Sequence, residues 1–284
     1  MKSAITTKTT SNLTLRPSSW TIKHLVMGVA LTTIGAVLPS AFLILVGNNP
    51  ASAFALPLQY FLMFIIGTSL MYVFGGKKKL EEHFGLTVPR AIMPFVYAII
   101  GGILFVLLAQ IFAPLIPSVK EGSETVAKSV AINSNLLQSM VIVISLAIAA
   151  PIGEELAYRG IVMRSLYDIL SRKMTLMLSV IISVAISSLL FAISHGGAGQ
   201  SAQIWFLTVA GIIYASVYLK TGSLSMAMLA HSVSNTINVF LLINVAAKAG
   251  EAVSPIVYIT AVAAPFIVLG IGQGTAKIIS ANSK

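Results

Sequence analysis

LLQSMVIVISLAIAAPIGEELAYRGIVMRSLYDIL, residues 136–170, decides the fold. Its opening, to about residue 152, is apolar enough to enter a bilayer, whose crossing takes roughly 20 apolar residues as a helix. Beyond Pro151-Ile152-Gly153 it continues as a more polar helical stretch to Leu170, carrying Glu154, Glu155, Arg159, Arg164 and Asp168. A carboxylate in hydrocarbon costs several kcal/mol unless it is paired, so charge at this position points to a functional site.

Working outward, the rest of the chain is just as apolar. Of 284 residues 57% are hydrophobic and 9% charged, against about a quarter charged in a soluble domain. The expected fold is all-α, a polytopic membrane helical bundle of about eight transmembrane helices. The spans read at 25–46, 52–74, 91–116, 136–152, 174–195, 204–219, 224–245 and 253–271. Leu25–Val46 is too long for a signal-peptide core and reads as a first span that is kept. The organisation is a polar cytoplasmic tail over 1–24, amino-terminal spans and an outer loop over 25–135, a catalytic core over 136–245, and a last span with a cytoplasmic tail over 246–284. No internal repeat is seen. The loop Ser118 to Asn135 is polar and of mixed charge.

The formal charge of +10 does not imply nucleic acid; in a membrane protein it reflects basic cytoplasmic loops. With the amino terminus inside, only Lys120, Lys128 and Lys248 fall outside, and the other fifteen Lys and Arg fall inside. The run Lys77–Lys79 reads as a stop-transfer flank. Absence of cysteine excludes disulfides, thiolate metal sites and a cysteine nucleophile.

Only eight acidic residues and four histidines occur, and three short patterns concentrate them. These are Glu154-Glu155-Leu156-Ala157-Tyr158-Arg159, Phe191-Ala192-Ile193-Ser194-His195 and His231-Ser232-Val233-Ser234-Asn235. Ser171-Arg172-Lys173 reads as the turn of a helical hairpin. Glu154 and His195 lie about 27 and 33 Å from it, at about 1.5 Å per residue, hence at similar height. His231 and Asn235 lie about 12 and 18 Å beyond the Lys220–Ser223 turn. The heights agree if Arg159, Arg164, Asp168 and Arg172 form a wet, snorkelling end.

Glu155 and Arg159, spaced i,i+4, can pair, leaving Glu154 about 100° round the axis for chemistry. Phe191 sits one turn before His195 and packs on its ring. The set supports attack of water on a carbonyl. Glu154 is the general base, suited by apolar surroundings to proton transfer near neutral pH. His195 orients the water or passes the proton to the leaving amine. His231 and the Asn235 amide donate to a developing oxyanion.

These motifs resemble the CAAX protease and bacteriocin-processing (CPBP, or Abi) family of intramembrane proteases, relatives of the type II CAAX prenyl endopeptidases. The resemblance covers roughly residues 136–240. It implies a glutamate-dependent endopeptidase in which Glu154 and His195 activate water, His231 and Asn235 stabilise the transition state, and Glu155 and Arg159 support them.

Blander readings stand beside these. His231 and Asn235 can simply join helices by hydrogen bonds. Arg164–Asp168 reads as an ordinary helix-surface pair, and His24 and His83 as membrane-edge residues. Gly196-Gly197-Ala198-Gly199 lacks the Lys-Ser/Thr of a phosphate loop and reads as a bend. Two histidines and a glutamate can also hold Zn²⁺, although His-Glu-x-x-His is absent, so no cofactor is expected. A non-catalytic scaffold or bacteriocin-immunity factor is the other alternative, and transport is disfavoured without inverted repeats. Expected partners are a peptide or membrane-protein substrate, the lipid bilayer and an unidentified regulatory membrane partner, with no nucleic acid. The expected location is a bacterial inner membrane.

Overall fold

The computed structural model describes residues 20–30, 32–34, 85, 86, 88–115, 132, 133, 135–195 and 204–281. Every regular element among them is helical: α1 (Ile22–Ile34), α2 (Met93–Phe112), α3 (Leu136–Leu170), α4 (Leu176–Ser194), α5 (Ile204–Thr221), α6 (Leu224–Lys248) and α7 (Pro255–Ala281). Six of these, α2 to α7, are long and apolar enough to cross a membrane. Of the eight expected spans, the first appears only through α1 and the second lies outside the described residues, as do Lys77–Lys79, His83 and Gly196–Gly199. Large apolar side chains such as Ile103, Leu107, Ile181, Trp205 and Phe266 are exposed on the outer faces. A surface of that kind requires lipid rather than water, and the chain is an integral membrane protein.

α6 stands at the centre, against α2, α3, α5 and α7. Its first turns, Leu224 to Ser232, are buried all round, as expected of a helix enclosed by others. Small residues let the neighbours approach. The buried stripe of α2 is Ala98, Gly101, Gly102, Phe105 and Val106. A Cβ on Gly102 would stand 2.5 Å from the Ala230 carbonyl oxygen. Close backbone approach through small residues is the usual way helices associate in lipid. Gly211 of α5 does the same against Ser188 of α4.

α3 is one continuous 35-residue helix, longer than its expected span because the polar half is enclosed by protein. It is not uniform. Two π-helical stretches, Ser145–Ala149 and Leu156–Met163, flank the α-helical segment Ala150–Glu155 that carries both glutamates. Such wide turns recur at functional sites. α1 packs over the second of them, where a Cβ on Gly28 would stand 2.6 Å from Ile161.

Candidate active site

The carboxylates come first. Glu155 and Arg159 lie one turn apart on α3, and the guanidinium Nη1 donates to Glu155 Oε1 at 2.9 Å with both side chains wholly buried. A buried ion pair needs further partners to offset its desolvation. Arg159 finds them in aromatic faces: its Cζ lies 4.7 Å from the Phe191 ring centre and 5.6 Å from that of Tyr214, a cation–π arrangement.

α4 delivers His195 at its carboxyl end. The Phe191 carbonyl, one turn back, accepts from His195 Nδ1 at 2.8 Å. A carbonyl can only accept, so Nδ1 carries the hydrogen and Nε2 is the edge presented to the site. That edge lies 3.5 Å from Glu154 Oε1. Phe191 packs on the imidazole with ring centres 4.7 Å apart, and Tyr158 meets Phe191 edge-on at 5.3 Å.

α6 delivers His231. Its Nδ1 is 3.0 Å from Glu155 Oε1, and its Nε2 is 3.7 Å from Glu154 Oε2. The Tyr214 ring lies parallel to it at 4.6 Å. The Tyr214 hydroxyl is itself hydrogen-bonded to Ser234 at 2.5 Å. Both imidazoles thus turn Nε2 toward the Glu154 carboxylate. The 3.5 and 3.7 Å gaps exceed the ~2.9 Å of an ordinary N–H···O bond.

Glu154, Glu155, Arg159, Phe191, His195 and His231 therefore meet at one place. Asn235 lies a turn further along α6, where its Nδ2 donates to the Leu146 carbonyl at 2.8 Å. Two expectations need correction. Arg164 and Asp168 are not a surface pair: their side chains are 3% and 1% exposed. Nor does Arg159 snorkel, because it is enclosed by α3, Phe191 and Tyr214. The end of α3 is covered by protein instead. Trp20 is buried against it, its backbone N–H directed at Asp168 Oδ2 and its carbonyl accepting from Arg172. His24 contacts Thr21 and the Trp20 ring.

Sequence reading missed Tyr214, Ser232 and Ser234. An aromatic between Gly211 and Ala215 in an apolar span is indistinguishable from core until the fold stacks it on His231.

Residues 136–237 match the family model described as type II CAAX prenyl endopeptidase Rce1-like. The chain is similar to that family over the matched stretch. No curated protein and no solved structure matches the chain. That stretch, in agreement with the CPBP resemblance, contains every residue of the cluster. Set among six apolar helices, it supports an intramembrane CAAX protease-type, hydrolytic function. Among the described residues no group of three or more His, Asp or Glu is arranged to hold a metal ion.

Proposed function

We propose that this chain is a glutamic-type intramembrane endopeptidase that cleaves peptide bonds with a water molecule and no metal. The observation that carries this reading is the position of the Glu154 carboxylate between the Nε2 atoms of His195 and His231. Water enters that gap and is oriented by Glu154 and His195. Glu154 takes one proton as the hydroxyl oxygen adds to the scissile carbonyl carbon, placing negative charge on the carbonyl oxygen. His231 donates from Nε2 to that oxygen, its ring held in place by the contact of Nδ1 with Glu155 Oε1. Asn235 adds the second N–H of its amide. The C–N bond then breaks, and His195 relays the proton from Glu154 to the leaving amine. Products are a new carboxyl and a new amino terminus.

The substrate is a peptide or membrane protein presented near the cytoplasmic leaflet. The amino terminus is cytoplasmic, supported by the charge asymmetry of the loops.

Glu154→Gln barely changes shape and removes the base. It should lower the cleavage rate at least about 100-fold, with the thermal unfolding midpoint unchanged. The loss should appear as substrates accumulating in membrane peptide profiles. Full biological function in this variant would replace peptidase with scaffold. Stoichiometric zinc that leaves together with activity would replace the metal-free mechanism.

A further inference from the structure

α3 changes hydrogen-bond register just before its glutamates. The Ala150 N–H donates to the Ser145 carbonyl, five residues back. In an α-helix Leu146 would accept from Ala150 and Ala147 from Pro151. Ala150 is taken by Ser145 and proline has no N–H, so neither carbonyl has its ordinary α-helical donor.

α6 supplies both donors. Asn235 Nδ2 reaches Leu146 O at 2.8 Å, and Ser232 Oγ reaches Ala147 O at 2.6 Å. Several serines and threonines in these helices do what helical hydroxyls ordinarily do. Ser145, Ser183, Thr208 and Ser216 each donate to the carbonyl four residues back. Ser232, wholly buried, instead crosses to another helix, as Ser187 does to the Tyr158 carbonyl and Thr236 to that of Ala261. It directly follows His231, and Pro151 precedes Glu154 by three residues. The bond therefore ties the catalytic glutamate's helix to the catalytic histidine's helix.

We propose that Pro151 and Ser232 are positioning residues: the proline opens the Ala147 carbonyl on α3, and the Ser232 hydroxyl fastens α6 to that opening, setting the Glu154 carboxylate against His231 Nε2. The effect on rate rests on the peptidase reading; the pairing of the two residues does not.

The experiment is a double-mutant cycle on the full chain, reading kcat, KM and the thermal midpoint. Ser232→Ala should lower kcat about tenfold, the equivalent of about 1.4 kcal/mol, with KM within about twofold. Pro151→Ala restores an N–H that can take over the Ala147 carbonyl. In that background Ser232→Ala should cost less than about threefold, and the midpoints should show the same non-additivity. Equal losses in both backgrounds, in rate and in midpoint, would overturn the proposal. If Glu154→Gln proved fully functional, the peptidase reading would fall while the midpoint cycle still judged the Pro151–Ser232 pairing.

Discussion

α3 carries two buried ion pairs of the same i,i+4 spacing, and they do different work. Glu155–Arg159 closes at 2.9 Å, and Arg164–Asp168 stands at 3.8 Å. Around the first are a histidine and two aromatic faces. Around the second is the main chain of Trp20, which also contacts Arg172. The first holds an imidazole in the candidate site, whereas the second anchors the segment leading into α1. Spacing creates the pair, and what the fold packs against it decides its use.

Several variants break or sharpen that contrast. Arg159→Met strands the Glu155 carboxylate and should cost about 3–5 kcal/mol of stability, read by unfolding in detergent, together with most of the cleavage activity. If it left unfolding unchanged, the first pair would be no structural element. Asp168→Asn keeps shape and removes charge; it should cost about 1–3 kcal/mol while kcat stays within about twofold. A large kcat loss with an intact midpoint would erase the distinction between the two pairs. Tyr214→Phe keeps the ring on His231 and removes only the hydroxyl bond to Ser234. It should cost about 0.5–1.5 kcal/mol of stability, and a cleavage assay should find a similarly modest rate effect. Tyr214→Leu, which removes the stack, should lower the rate further.

Much of this was legible in the chain. Runs such as Met93–Phe112 and Leu176–Ser194 carry no charged residue, and in lipid only a helix satisfies their backbone. The glutamates and histidines of the three patterns were legible because charge in hydrocarbon needs partners, and hairpin arithmetic placed Glu154 level with His195. The limits are equally physical. A charged i,i+4 pair has the same spacing whether it faces water or protein, so Arg164 and Asp168 looked superficial until Trp20 was seen to cover them. Asn235 reads as an oxyanion donor from its motif, but the register slip at Pro151, a property of three-dimensional hydrogen bonding, takes one of its two N–H groups. Tyr214 carries no charge and belongs to no spacing rule; only packing reveals it.

Gly102 has a consequence for transplanting this chemistry. It belongs to α2, outside the matched stretch 136–237, yet it seats that helix against the peptide unit just before His231. A methyl there has nowhere to go except into the support of the imidazole. The Rce1-like stretch is therefore not a self-sufficient module. Excised or grafted alone, it would carry all the reactive groups and lose the wall that keeps one of them aimed.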